Sequence, residues 1–257
     1  MLVRIVVMNP RFDDSQEKKN VCVVIPTYNE RRNILPLIFS VKKVLDECNV
    51  NPSIIVVDDN SPDGTGKILD ETSKNMGCLH VIHRKSRMGL GSACKEGFKY
   101  AVEKLNGEIL VQMDADASHN PSYLPRFLEK IAEGGEVVVG SRNIPGGGIV
   151  GWSSSRRIIS LLANKIARWV CGLTVSDATS GYKAFTVKAI EKINQKTNCK
   201  GFDFQVETLF WAKKYGLKIV EVPIVFVNRK KGKSKLTFKE IVRFLYTCLI
   251  LFTKRFS

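Results

Sequence analysis

Five stretches of the chain are apolar without alternation and rich in Val and Ile: VCVVIP (21–26), SIIVVDD (53–59), LHVI (79–82), EILVQMD (108–114) and EVVVG (136–140). Continuous apolar runs of this length fit strands covered on both faces, as parallel strands are. Amphipathic stretches lie between them, among them NILPLIFSVKKVLDE, SACKEGFKYAVEKL and SYLPRFLEKIAEG. Strand and helix in alternation predict an α/β fold with a doubly wound, mostly parallel sheet. Ligands of such sheets bind beyond the carboxyl ends of the strands, so the loops that follow the strands are where chemistry is expected.

From about Trp152 the pattern changes. GGGIVGW reads as a flexible loop, a helical pattern then runs to Cys171, and SDATSGYKAF reads as irregular. A helix is expected around Phe204 to Lys214, followed by the strands KIVEV and IVFV. The basic linker NRKKGKSK then leads into a final amphipathic helix, residues 236–257, suited to a bilayer interface. No repeat or low-complexity linker divides the chain, so residues 21–257 read as one domain and residues 1–20 as an arm or extra strand. MLVRIVVMNP is interrupted by Arg4 and lacks a small-residue cleavage site, which makes it a poor signal peptide. No segment reaches the roughly 20 apolar residues that span a bilayer.

Composition narrows the choice. A hydrophobic fraction of 44% over 257 residues supplies a core and excludes disorder. Seven cysteines, an odd number without CxxC spacing, fit a reduced compartment better than a disulfide framework or a zinc site. His80, His83 and His119 are expected to be packed or solvated rather than ligands. The formal net charge is +15, and from Asn228 onward nine Lys or Arg stand against Glu240 alone. That balance suits anionic headgroups or phosphate ligands, with nucleic acid as an alternative.

The loops carry the candidate chemistry. In LVQMDADASHN, Asp114 and Asp116 follow a strand two residues apart, which aims both carboxylates the same way. The pair repels itself unless a cation sits there, and a divalent metal is the natural one. Such a metal, bridging two phosphates of a nucleotide sugar, would offset the charge of a leaving diphosphate. In DDNSPDGTG, Asp63 or Thr65 can cap the next helix, while Asp58 and Asp59 can accept from a base or ribose donor. HRKSRMGLGSACKEG lacks the third glycine of a dinucleotide fingerprint, having Cys94 instead. Gly89 and Gly91 are expected to turn the loop into a helix capped by Ser92, near a ligand, with contact from Arg84, Lys85 and Arg87 left open by the sequence.

IPTYNE, VVDDNSPDGT, GLGSACKEG, MDADASH, GSR, GGGIVGW and RKKGKSKL occur in the order and spacing of the inverting family 2 glycosyltransferases. The chain resembles that family from Val21 to its C-terminus, and within it most closely the dolichyl-phosphate mannose synthases. The resemblance implies a GT-A type fold and a residue-by-residue site. Pro26, Tyr28 and Glu30 match the first nucleotide-contacting loop, and Val57 and Asp59 the second. Asp114, Ala115 and Asp116 match the metal and diphosphate motif, with Asp114 and Asp116 holding Mg²⁺ or Mn²⁺. Ser118 stands where some relatives have a further Gln ligand. Arg142 matches the arginine facing the donor, while Arg229 and Lys235 match the pair that closes on the diphosphate and acts in catalysis with Asp116.

The reaction so implied is transfer of mannose from GDP-mannose to dolichyl phosphate with inversion, whose product feeds protein glycosylation and glycolipid-anchor synthesis. Arg156 or Arg157 is the candidate for the lipid phosphate. Trp152 and the helix carrying Ile158, Ile159, Leu161 and Leu162 are the expected acceptor gate. Without spanning helices, the chain resembles the subset that relies on small membrane-anchoring subunits or on its own amphipathic tail. Its expected place is the cytoplasmic face of the endoplasmic reticulum membrane. The close alternative is a dolichyl- or polyprenyl-phosphate glucosyltransferase using a UDP-sugar. A non-enzymatic nucleic-acid binder leaves Asp114 and Asp116 unexplained and lacks any RNA-recognition signature.

Overall fold

The computed structural model describes residues 17–228 and 238–256. Most of the expected N-terminal arm, and both Arg229 and Lys235, lie outside the described residues. The strands are β1 (Asn20–Thr27), β2 (Asn51–Asp58), β3 (Leu79–His83), β4 (Ile109–Gln112), β5 (Val137–Ser141), β6 (Gly148–Val150), β7 (Lys183–Thr186), β8 (Ile219–Pro223) and β9 (Val225–Val227). Seven of them form one sheet in the order β3-β2-β1-β4-β7-β5-β8, and β6 pairs with β9 in a separate ribbon. Every pairing in the large sheet is parallel except those of β7, which runs antiparallel to both β4 and β5.

Two expectations change here. SDATSGYKAF is not irregular throughout, because its end enters the middle of the sheet as β7. GGGIVGW is not a loose loop, because β6 is tied in register to β9, with Ile149 opposite Phe226. Both strands are too short to show a period, and their pairing partners are remote in sequence.

The helices are α1 (Ile34–Asp46), α2 (Thr65–Ser73), α3 (Leu90–Leu105), α4 (Leu124–Ala132), α5 (Ser154–Cys171), α6 (Val187–Lys196), α7 (Phe204–Lys214) and α8 (Phe238–Thr253). Strand side chains alternate between two cores, as the pleat requires. Val21, Val23 and Ile25 join α1, α2 and α4 on one side, and Cys22 and Val24 join α3, α5, α6, α7 and α8 on the other. Helix α3 approaches the sheet through Gly97, where a Cβ would lie 2.4 Å from Val24 Cγ1 and 3.2 Å from Val57 Cγ2. Alanine there would force the helix off the strands. Helix α7 is buried from Phe204 to Ala212 and forms the centre of this layer.

The chain winds outward from β1 to β3, then crosses back to lay β4 on the other side of β1. The carboxyl ends of β1 and β4 therefore flank the switch point of the sheet, where the fold opens a crevice. No described helix is long and apolar enough to cross a membrane.

Candidate active site at the strand ends

Beyond β4 the chain turns through Asp114 to Ser118, with Ala117 in the left-handed region at φ +60°. Asp116 is buried, and its Oδ1 accepts from the Ser118 backbone N–H at 3.0 Å. Asp114 is more open, its side chain 29% exposed. His119 fixes the start of this loop: its Nδ1 accepts from the Asp114 N–H at 3.1 Å. A ring that accepts at Nδ1 while neutral carries its proton on Nε2, here 3.8 Å from Asp114 Oδ2. Burial lowers the imidazole pKa, against the pull of Asp114 and Asp116, so the neutral ring is the form at pH 7. Stacking on Tyr182 at 5.0 Å holds its plane. His119 is packed, as expected, but its part in positioning the acidic loop was not foreseen. The signal was its place three residues after Asp116.

The donor set suits a hard divalent cation. Two carboxylates stand two residues apart in one turn, Ser118 Oγ is buried with no partner among the described residues, and Gly181 leaves a cradle beside Asp114. A Cβ on Gly181 would sit 3.1 Å and 3.3 Å from the Asp114 oxygens. Mg²⁺ and Mn²⁺ sites of this kind use one or two carboxylates and leave the remaining positions to phosphate and water. Among the described residues no cluster of three or more His, Cys, Asp or Glu could hold a metal.

Behind the loop lies a polar layer unseen in the sequence. Lys183 of β7 is fully buried, and its Nζ donates to Ser180 O at 2.7 Å and to Gln205 Oε1. Burial pushes its pKa down to about 7. Lys183 thus anchors the Ser180–Gly181 turn against which Asp114 rests.

A 410 Å³ cavity opens at the ends of β1 and β2, lined by Pro26, Tyr28 and Asp59 together with Arg87 and, from α8, Glu240 and Arg243. Three of the five residues expected around the nucleotide line this cavity, and the Arg87 guanidinium lies 4.6 Å over the Tyr28 ring. Val57 is buried in β2 opposite Pro26, and Ala115 is buried in the acidic loop. Glu30 is buried, with its Oε2 accepting from Asn33 Nδ2 at 2.7 Å.

Several polar side chains at the strand ends hold loops. Asp58 accepts from both the N–H and the hydroxyl of Ser61 and so closes a turn. Asp59 accepts from Arg84 Nε at 2.5 Å and from Gly89 N at 3.1 Å, which engages both of its oxygens. Arg84 is accordingly buried, and also donates to Ser92 Oγ at 2.6 Å. Ser92 lies inside the first turn of α3, so it is not the cap. The cap of α2 is Gly64, and Asp63 just before it accepts from Thr65 N at 3.0 Å in the turn that leads into the helix.

Arg142 grips Asp177 in a bidentate pair, Nε at 2.6 Å and Nη2 at 2.7 Å, and Nη2 also reaches Thr179 Oγ1 at 2.8 Å. Burial alone would raise the Asp177 pKa, but the guanidinium holds it below the usual carboxylate range. Arg142 is therefore a charge-compensated clamp on the 176–179 loop.

Trp152 faces inward, stacked 4.1 Å from the Arg156 guanidinium and 5.3 Å edge-on to Phe226, so it is not the exposed indole of the expected gate. Arg156 Nη1 donates to Asn228 Oδ1 at 3.1 Å, and Arg157 Nη2 donates to Ile149 O at 2.8 Å. The exposed apolar face lies further along α5, at Ile158, Ile159, Leu161, Leu162 and Trp169. Helix α8 packs on α5 and exposes Val242, Leu245, Tyr246 and Leu249. A shallow 720 Å³ cavity runs along α5 beside Leu161, Lys165 and Trp169.

A mostly parallel sheet of GT-A type, with an Asp-Ala-Asp loop at its switch point, defines the nucleotide-sugar glycosyltransferase class. Residues 22–194 match the description Glycosyl transferase family 2, and the chain belongs to that family. It is 41% identical over 221 residues to a polyprenol monophosphomannose synthase of Mycolicibacterium smegmatis, covering 85% of this chain and 82% of that one. It is 39% identical over 218 residues to an undecaprenyl-phosphate mannosyltransferase of Micrococcus luteus, covering 84% and 87%. Its fold resembles glucosyl-3-phosphoglycerate synthase from Mycobacterium tuberculosis in complex with phosphoglyceric acid, with TM-score 0.66, 20% identity, and coverage of 91% and 80%. The same enzyme in complex with Mn²⁺, UDP-glucose and glycerol 3-phosphate aligns with TM-score 0.65, 20% identity, and coverage of 92% and 80%.

Proposed function

We propose that the chain transfers mannose from GDP-mannose to a polyprenyl phosphate with inversion, dolichyl phosphate being the acceptor where the cell makes it. The observation that carries this reading is the likeness at about 40% to two mannosyltransferases of polyprenyl phosphates, sustained over more than four-fifths of each chain. The acidic loop at the crevice supports the same reaction.

A monoester phosphate has a second pKa near 6, so the attacking oxygen is largely deprotonated at neutral pH. No dedicated base is needed, and the protein's task is alignment and charge stabilisation. Asp114 and Asp116 would hold Mg²⁺ or Mn²⁺, which when bound supplies Lewis-acid stabilisation to the departing diphosphate. His119 and Gly181 keep the Asp114 carboxylate in place for it. Pro26 and Tyr28 bound the nucleoside, and Arg229 and Lys235 are assigned to the diphosphate.

The acceptor side is the outer face of α5 and α8. Its apolar residues, in a chain whose last thirty residues are strongly basic, suit an anionic lipid surface or a small membrane-anchoring subunit. Arg156, at the start of α5, is assigned to the acceptor phosphate. For a dolichyl acceptor the membrane would be that of the endoplasmic reticulum, on its cytoplasmic face.

The test is glycolipid formation by purified protein in lipid vesicles, with GDP-mannose and UDP-glucose each offered against dolichyl and undecaprenyl phosphate. Mannolipid from GDP-mannose supports the reading. Product from UDP-glucose alone replaces it with the glucosyltransferase alternative.

A further inference from the structure

The first turns of α8 reach the nucleotide cavity, a contact that none of the strand-end motifs announces. Gly201 lies against the tips of both side chains: a Cβ there would sit 2.7 Å from Arg243 Nη1 and 2.7 Å from Glu240 Oε2. Further along, Thr247 Oγ1 donates to the buried Asp203 at 2.8 Å, and Cys248 and Leu251 enter the core. Glu240 is therefore placed by a helix docked on rigid structure rather than by a mobile loop.

Its carboxylate is held at both oxygens. Phe202 N donates to Oε2 at 3.4 Å and Arg243 Nη1 donates to Oε1 at 3.1 Å. Each carboxylate oxygen has two acceptor positions, so one on each oxygen is left for a ligand carrying two adjacent donors. The side chain is 18% exposed, shielded enough for such bonds to count. The other acidic residue of the lining, Asp59, also accepts once at each oxygen, but at 2.5 Å from the buried Arg84 and 3.1 Å from Gly89 N, so Glu240 is the less tightly held of the two.

We propose that Glu240 reads the nucleobase, accepting together from the ring N1–H and the 2-amino group of guanine, with Arg243 beside it as donor to the 6-carbonyl oxygen. The inference rests on the proposed use of GDP-mannose and deepens it. Uracil offers a single ring N–H between two carbonyl oxygens, so one oxygen would face the carboxylate. Adenine presents an unprotonated ring nitrogen at the same place. Guanine alone of the three sets two donors side by side, which a carboxylate matches. Tyr28 and Phe202 are the aromatic rings in the lining on which a base can stack.

The experiment compares GDP, IDP and UDP by calorimetric titration of the full chain in Mg²⁺, for the wild type and Glu240→Gln. IDP differs from GDP only in lacking the 2-amino group. The wild type is expected to favour GDP over IDP by about 10-fold to 100-fold, as for a hydrogen bond to a charged group. In Glu240→Gln the preference is expected to fall to within about 3-fold. Both affinities come from one preparation, so an inactive fraction cancels from the ratio, and the wild-type comparison needs no variant. A wild type indifferent to the 2-amino group, or a preference that survives Glu240→Gln, overturns the role of Glu240 while leaving GDP-mannose as donor. A wild type that prefers UDP overturns both.

Discussion

The backbone N–H of Asp114 donates to Nδ1 of His119 at 3.1 Å, tying the first carboxylate of the acidic loop to a neutral ring stacked on Tyr182. His119→Ala removes the acceptor and leaves space beside Tyr182 and Phe226. A misplacement near 1 Å can cost about 100-fold in rate, and a kcat loss of that order is expected. Initial rates measured across a Mn²⁺ titration check it. The half-activating concentration should rise as well, and an unchanged metal response would count against the positioning role.

Gly181→Ala tests the cradle from its other wall. The added methyl would lie 3.1 Å from Asp114 Oδ1 and must displace the carboxylate by a few tenths of an ångström. Metal affinity is expected to drop about 10-fold, roughly 1.4 kcal/mol, with little change in the unfolding midpoint. Manganese titration followed by electron paramagnetic resonance reads the first quantity, and thermal unfolding the second.

Asp116→Ala removes the buried carboxylate, and chelation removes whatever cation the loop holds. Either treatment is expected to reduce mannosyl transfer by at least about 100-fold. Readdition of Mg²⁺ or Mn²⁺ should rescue the chelated wild type but not the variant. Transfer that persists in excess chelator would refute the metal assignment.

Asp177 and Arg142 form a buried pair, and breaking it by Asp177→Leu is expected to cost about 3–5 kcal/mol because the guanidinium is left uncompensated. The Asp177 pKa is lowered in the fold, so the pair's contribution is fully present above the unfolded value near 4. It is lost as the pH falls from there through the native pKa. Urea denaturation at pH 7 and pH 3 should therefore show a smaller acid-induced loss for the double variant Arg142→Met, Asp177→Leu than for the wild type.

The outer face of α5 and α8 is open to a surface experiment. Leu161→Glu combined with Leu249→Glu places two charges on the exposed apolar patch, and sedimentation with anionic vesicles is expected to fall at least about 10-fold. GDP binding in detergent-free buffer should be unaffected. Equal vesicle binding by both proteins would move the membrane contact elsewhere.

The strands from β1 to β5 could be read to within about two residues because parallel strands buried on both faces must be continuously apolar. The acidic loop was equally legible, since like charges two apart on an extended chain demand an explanation. What stayed hidden were contacts between segments remote in sequence. Nothing near Asp59 indicates that Arg84, on another loop, will take its carboxylate, and nothing near Arg142 announces Asp177. Burying these carboxylates favours such pairing, yet each partner also looks like a ligand-binding residue when read alone. KAFT shows no strand period over its four residues and becomes β7 only because β4 and β5 leave a slot between them. Trp152 was misplaced for a related reason: an aromatic ring suits a lipid boundary and a stack of arginine and phenylalanine equally well.

Helix α8 turns one side to the nucleotide cavity and another to the exterior. Order imposed on its outer side is therefore shared with the cavity, and thermodynamic reciprocity fixes the sizes of the two effects. The factor by which vesicles tighten GDP must equal the factor by which GDP tightens attachment to vesicles. Were lipid to engage that outer side, nucleotide and lipid would each favour the binding of the other by the same factor.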